Sequence, residues 1–318
     1  MGNHAKTGKN VFLRFFRNIY LSYIPNKRDN LKQILIKILF LVCFAILIVS
    51  AWNIADYFLL AGKQDNIVDD SRKIWYGAEQ DENLTEEEKE AIKSDTVEKL
   101  LEKNSDFKGW IRISGTQVDN PVYQTKDNDY YLNHNQKKQS SIYGALFFDY
   151  RNIITETETD KNLIIYGHEM KNGSMFGSLK KLKNLNFYKQ NPVIELSTIY
   201  KNSTYKIYSI FILNAEKEDD DGYIYNIYRQ NFLGEDDFDS WTAEAYERSI
   251  INTNVDVKYG DNIITLVTCS KDFDNARLVV MARETRDGES STVDTSKATV
   301  NPNPRYPKEW YTKRGIDK

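Results

Sequence analysis

The apolar positions change rhythm three times along this chain. Residues 34–55, ILIKILFLVCFAILIVSAWNIA, are apolar almost without a break, and Lys37 is their one charge. About 20 such residues in a helix cross the hydrocarbon core of a bilayer. The pattern therefore predicts a transmembrane helix, with Lys37 near enough to its end to snorkel and Trp52 near the far interface. From Thr85 the stretch TEEEKEAIKSDTVEKLLEKN has helical spacing. Thr85 and Glu88 form a capping box, acids fill the first turn and lysines the end, and Ile92, Val97, Leu100 and Leu101 fall on the inward face. After Asn104 the rhythm becomes short β-rich runs: FKGWIRI, QVDNPVY, YGALFFD, NLIIYG, PVIEL, STYKIYSIFILNAE, NIITLVTC and ARLVVMARE. Eight strands bounded by turn residues predict a barrel or a sandwich. Helical patterns interrupt them at 173–184 and at 236–251, where Phe238, Trp241, Ala245 and Tyr246 share a face. From Thr285 the chain is rich in Ser, Thr, Asn and Pro and reads as disordered or wrapped over the surface.

Charge orients this layout. Residues 1–37 carry eight Lys or Arg against Asp29 alone, whereas the rest of the chain has 35 basic and 45 acidic side chains. Basic flanks stay in the cytoplasm, so the expected arrangement is an N-terminus inside, one signal-anchor helix, and everything after it outside. Two other readings of the apolar run are a signal peptide cleaved at VSA, 49–51, and a buried core helix; the long basic region before it argues against an ordinary signal peptide. An acidic main domain does not suit a nucleic-acid binder, which needs a basic face for phosphates. Tyr-rich clusters such as GYIYNIY fit strand packing, and EKEDDD, 216–221, fits a solvated loop better than a calcium loop, which needs glycine and spaced ligands. Too few His and Cys residues lie outside the span for a zinc site.

The cysteines sharpen the question. Cys43 lies within the apolar span, leaving Cys269 as the one thiol beyond it, without a disulfide partner. Such a thiol is either buried or chemically employed. Beyond the span there are two histidines. His134, in YYLNHNQKK, reads as a surface residue. His168 follows the strand NLIIYG, and Cys269 ends the strand IITLVTC, so both sit where a scaffold presents reactive groups. Arg277 opens the next strand, a short loop after Cys269. A thiol, an imidazole and a guanidinium suit acyl transfer: attack on a peptide carbonyl, protonation of the leaving amine, and support of the oxyanion.

YGHEMKNGSMFGSLKKL around His168, TLVTCS at Cys269 and NARLVVMARE at Arg277 resemble the sortases, and within them class B, cysteine transpeptidases of Gram-positive bacteria. The likeness continues through GWIRISGTQVDNPVYQTKDNDYYLNHN and GALFFDYRN, covering about residues 105–285. It implies a mainly β fold with helices: an eight-stranded sortase β-barrel with the class B N-terminal helix, here from Thr85, and the long helix before the cysteine strand, 236–251. The expected domains are a basic cytoplasmic segment 1–33, a signal anchor 34–55, a stalk with helices 56–104, the catalytic barrel 105–285 and a tail 286–318. By the resemblance, Cys269 forms a thioacyl enzyme with a C-terminal sorting signal, NPxT-like or LPxT-like. His168 acts as acid and then base, and Arg277 positions substrate and steadies the oxyanion. Partners would be surface proteins or pilins bearing that signal, and lipid II or a pilin lysine would supply the amine; no cofactor is implied. Wall anchoring and pilin polymerisation share this machinery, and a non-enzymatic anchored β-domain with Cys269 buried is the remaining alternative. A dedicated L,D-transpeptidase would show S-H-G-C where Val267 and Thr268 stand, and a papain-like peptidase would have its cysteine upstream of the histidine. Two further expectations are that Ser270 lends its backbone N–H to an oxyanion hole and that the tail covers the active-site groove.

Overall fold

The computed structural model describes residues 22–77, 86–216 and 222–317. Thr85 of the expected capping box, most of EKEDDD and much of the basic N-terminal segment lie outside them. The chain divides into two units, residues up to Asp65 and residues Asn66–Lys318.

Helix α1, Leu31–Tyr76, begins in the first unit, ends in the second, and continues well past the apolar run. It is long and apolar enough to cross a membrane, and its Leu35, Leu39, Phe44, Leu47 and Val49 side chains are exposed. Exposure of this kind excludes the buried-core-helix reading of residues 34–55.

The second unit is built on a closed barrel in the order β1-β2-β3-β4-β8-β9-β6-β5. Its strands are β1 (Phe107–Arg112), β2 (Asp119–Tyr123), β3 (Leu146–Phe148), β4 (Asn162–Tyr166), β5 (Val193–Thr198), β6 (Asn202–Asn214), β8 (Ile263–Cys269) and β9 (Ala276–Glu284). β2–β3 and β4–β8 are parallel pairs and the remaining pairs are antiparallel. Alternation of side chains across the wall explains why these strands read as continuous apolar runs. Ile165, Leu266, Leu278 and Val280 belong to one core, with Ile111, Val122 and Ile194. Ile164, Val267, Val279 and Phe211 point to the other side, where they meet Phe238, Trp241 and Ala245. Those three lie on α5 (Glu235–Arg248), whose first turn holds Glu235, Asp236 and Asp237 and whose last holds Arg248, both matched to the helix dipole. α5 is the long helix expected before the cysteine strand.

Two helical segments pack on the barrel from its N-terminal side. α2 (Glu86–Lys103) buries Leu100 and half-buries Val97 and Leu101, while the side chain of Ile92 lies outside the description. The last turns of α1 bring Trp75 parallel to Trp110, with ring centroids 5.2 Å apart. Arg72 Nε, Tyr76 Oη and Trp110 Nε1 all donate to the Asp119 carboxylate, at 2.8, 2.7 and 2.8 Å.

One segment departs from the expected pattern. Residues 173–178 are turns, and helix begins only with the 3-10 turn Leu179–Lys183 and α4 (Leu185–Gln190). Gly173 has φ +89°, and a Cβ at Gly177 would stand 2.2 Å from the Met170 carbonyl oxygen, so the chain turns back on itself there before helix starts. The C-terminal stretch is ordered and wraps the surface. Its β10 (Thr299–Val300) pairs with β7 (Ile251–Asn252), Ala298 is buried, and Tyr306 and Trp310 pack on the barrel core ahead of and within α6 (Lys308–Thr312).

Candidate active site

The parallel pairing of β4 with β8 sets the site. Its last rung joins Tyr166 to Val267, and the Gly167 N–H donates to the Val267 carbonyl at 3.2 Å. His168 and Cys269 each lie two residues beyond that rung, so they share one face of the wall at one end of neighbouring strands, which are spaced by about 4.8 Å. On the other flank of β8, Cys269 is directly opposite Arg277 in the antiparallel register with β9. The three residues singled out in the sequence thus converge from β4, β8 and β9. His134 does not join them. It follows the short helix α3 (Tyr130–Asn133), stacked on Tyr130 at 4.2 Å with Nδ1 on the Tyr130 carbonyl.

Each member of the trio has a defined state. Cys269 is exposed, and among the described residues its side chain makes no hydrogen bond. The reading of Cys269 as a buried structural thiol therefore loses its premise. His168 is half-buried, and its Nε2 lies 2.7 Å from the Leu132 carbonyl. A carbonyl only accepts, so Nε2 carries the proton and Nδ1 is the ring nitrogen left to exchange one. The ring is further confined by Gly144, at φ +59°, where a Cβ would stand 3.2 Å from His168 Cδ2. Arg277 is half-buried; its Nη1 donates to the Ala276 carbonyl at 3.1 Å, and it has no carboxylate partner among the described residues. A guanidinium without a counter-ion beside an exposed thiol is suited to a developing negative charge.

Ser270 does not fit its expected role. Its backbone N–H donates to the Ala276 carbonyl at 2.9 Å, closing the β8–β9 turn, and so is committed rather than free for an oxyanion.

The structure adds residues that the sequence analysis did not single out. Asp149, fully buried at its side chain, accepts from Arg151 Nε and Nη2 at 2.8 and 2.7 Å, from Tyr166 Oη at 2.8 Å and from Asn128 Nδ2 at 3.1 Å. Burial works to raise the Asp149 carboxyl, but these donors, Arg151 foremost, hold it below the usual carboxylate range. Burial also pushes the Tyr166 phenol well up, reinforced by the Asp149 charge, so Tyr166 stays a neutral donor. Tyr228 has its phenol raised by burial against the opposing charges of Arg277 and Arg151, and the Arg151 guanidinium is 5.9 Å from its ring centroid. Tyr228, Arg151 and Asp149 thereby connect the Arg277 side of the site to Tyr166, on the same face as His168. Tyr228 falls within GYIYNIY, where strand-like composition concealed it. No group of three or more His, Cys, Asp or Glu among the described residues is arranged to hold a metal.

The chain is similar to known proteins over much of its length. A sortase domain model matches residues 111–285. The chain is 33% identical over 255 residues to sortase B of Listeria monocytogenes, which covers 80% of this chain and 98% of that protein. A mutant form of Clostridium perfringens sortase B solved by X-ray is 32% identical, with a TM-score of 0.60 over 70% of this chain and 98% of its own. A Staphylococcus aureus sortase B–substrate complex is 25% identical, with a TM-score of 0.61 over 72% of this chain and all of its own. By its barrel and its relatives the chain belongs to the sortase family, in class B, and is a cysteine transpeptidase.

Proposed function

We propose that this transpeptidase acts through Cys269, His168 and Arg277 on a C-terminal sorting signal of NPxT or LPxT type, and that it joins the processed protein to an amine of the cell wall. The observation that carries this reading is the register: an exposed thiol ending β8, flanked by His168 beyond the parallel strand β4 and by Arg277 opposite on β9. In the first half-reaction the Cys269 thiolate attacks the carbonyl of the residue before the scissile bond, and a C–S bond forms. As the C–N bond breaks, His168 Nδ1 gives its proton to the leaving amine. The resulting neutral imidazole then takes a proton from the incoming amine, which attacks the thioester and releases the thiolate. Arg277, unpaired with any carboxylate among the described residues, stabilises the oxyanion of both tetrahedral intermediates.

Under the same proposal α1 is an uncleaved anchor, residues 1–33 face the cytoplasm, and the barrel works outside the membrane. The exposed apolar surface of α1 supports the anchor, and the basic flank before the span supports the orientation.

The test is intact-mass analysis of the full chain in detergent micelles after incubation with NPxT and LPxT peptides, with Cys269→Ala as control. An acyl adduct on the wild type alone is expected, resolved by a peptidoglycan-type amine. Wild type that stays unmodified while Cys269 remains alkylatable overturns the sorting-signal reading. Resolution only by a lysine-bearing protein would replace wall attachment with pilin polymerisation.

A further inference from the structure

Three segments distant in sequence meet on one carboxylate just past the nucleophile. Asp272 lies in the turn between β8 and β9, three residues after Cys269, with its side chain 14% exposed. Its Oδ2 accepts from Ser270 Oγ at 2.6 Å and from Lys183 Nζ at 2.8 Å, and its Oδ1 faces Arg314 Nη2 at 3.3 Å. Ser270 adjoins Cys269. Lys183 ends the 3-10 turn of the segment that follows His168. Arg314 belongs to the C-terminal segment, and it does not arrive there as a free side chain. Its guanidinium rests 4.0 Å from the Trp310 ring centroid, and Trp310 stacks flat on Tyr306 at 3.8 Å, both against the barrel core. A second, longer pair, Lys313 to Asp274 at 3.8 Å, joins the same segment to the same turn. The turn itself has one apolar anchor, Phe273, buried in the barrel core.

We infer that Asp272 is a positioning residue, tying the turn beyond Cys269 to the segment beyond His168, and that the C-terminal segment completes the tie through Arg314. The inference rests on the proposed roles of Cys269 and His168. Its physical basis is the charge count: one carboxylate serves two cations, so removing it frees Ser270 Oγ and also leaves Lys183 and Arg314 to repel each other. Burial works to raise the Asp272 carboxyl, yet the hydrogen bonds from Lys183 and Ser270 and the charges of Lys183 and Arg314 hold it below the usual range, so the tie is ionised at neutral pH. Asp272 acts through Ser270 and through Lys183 and not on the substrate, so its loss is expected in the chemical step rather than in peptide binding. The same contacts give the C-terminal segment its work. Through Arg314 and Lys313 it braces the catalytic turn.

The experiment uses the full chain in detergent micelles, comparing wild type with Asp272→Ala, Arg314→Ala and Arg314→Lys. Hydrogen exchange of the 268–276 amides, read by mass spectrometry, reports the turn directly. Exchange there is expected to rise about tenfold in Asp272→Ala and about threefold in Arg314→Ala, with Arg314→Lys near wild type. Acylation by the sorting peptide is expected to slow about tenfold in Asp272→Ala at saturating peptide, with KM within twofold. Unchanged exchange in Arg314→Ala overturns the brace, and unchanged exchange in Asp272→Ala overturns the whole inference. A loss confined to KM overturns the positioning role. Should Asp272→Ala fail to fold, the Arg314 pair decides the question, because Lys preserves the charge and Ala does not. Wild type that forms no adduct would remove the functional reading, whereas exchange would still decide whether the tie exists.

Discussion

Replacing Gly144 by Ala tests how tightly the histidine is held. Gly144 has φ +59°, and a methyl group there would stand 2.3 Å from the Tyr131 carbonyl oxygen, 3.1 Å from that of Leu132 and 3.2 Å from His168 Cδ2. The backbone conformation alone costs an L-residue about 1–2 kcal/mol. Relieving the first contact to an ordinary separation means moving the Tyr131–Leu132 backbone by about 1 Å, and a misplacement of that size costs about a hundredfold in rate. Leu132 is the residue whose carbonyl fixes His168 Nε2, so the shift is delivered to the imidazole. The expected result is a melting temperature lower by about 4–10 °C and peptide acylation of Cys269 slowed about 30- to 100-fold. Gly260→Ala is the control, since its φ is +98° with nothing within 4 Å of the added atom. It carries the backbone strain without the contact, and its acylation rate should equal that of wild type. Gly144→Ala acylating within twofold of wild type, or Gly260→Ala losing as much activity, would refute the reasoning.

Three further outcomes are expected. Arg277→Ala should lower acylation about 100- to 1000-fold and leave the melting temperature nearly unchanged, because no carboxylate depends on Arg277 among the described residues; a large loss of stability would show a structural role instead. Glu289→Gln removes the shared partner of Arg283 and Lys206, whose side chains are 2% and 7% exposed, although Arg283 keeps Asp256 at 3.2 Å. After allowance for the partial exposure of Glu289, the cost at pH 7 is about 2 kcal/mol. Arg283 first, then Lys206, hold the Glu289 carboxyl far below its ordinary value against the opposing effect of burial. Its contribution is therefore complete above the unfolded pKa of about 4.3 and drains away as pH falls through the lower folded value. Denaturant titrations should show a constant gap between variant and wild type from pH 8 to about 5 that narrows below about 4.3, and a gap that widens in acid would contradict this. Asp119→Ala deprives Arg72, Tyr76 and Trp110 of a common acceptor; a loss of about 2–3 kcal/mol is expected in thermal unfolding, and a melting point equal to wild type would contradict it.

The strands were legible because each is an apolar run closed by turn residues, and the barrel's two packed sides explain why those runs show no clean alternation. Cys269, His168 and Arg277 were legible as a trio because each stands at a strand boundary, a property of local sequence. That β4 and β8 lie side by side was not, since their pairing spans about a hundred residues and carries no local mark. Asp149, Arg151 and Tyr228 were hidden for the same reason: their meaning is a set of mutual contacts, and Tyr228 sits in a stretch with the composition of an ordinary strand. The reach of α1 to Tyr76 was likewise concealed, because the polarity beyond residue 55 marks where the apolar span stops and not where the helix does. The C-terminal stretch was open by composition between disorder and a path over the surface, and the packing of Ala298, Tyr306 and Trp310 decides for the second.

Parallel pairing of β4 with β8 has one more consequence. Everything between β6 and β8, including β7, α5 and the loop before it, leaves the wall at Asn214 and returns at Ile263, the opposite end of β8 from Cys269. The rungs of β4 and β8 thus set the strand ends of thiol and imidazole side by side, while the excursion bears on the site from the Arg277 side, since Asn214 stands opposite Ala276 and Tyr228 lies in the field of Arg277.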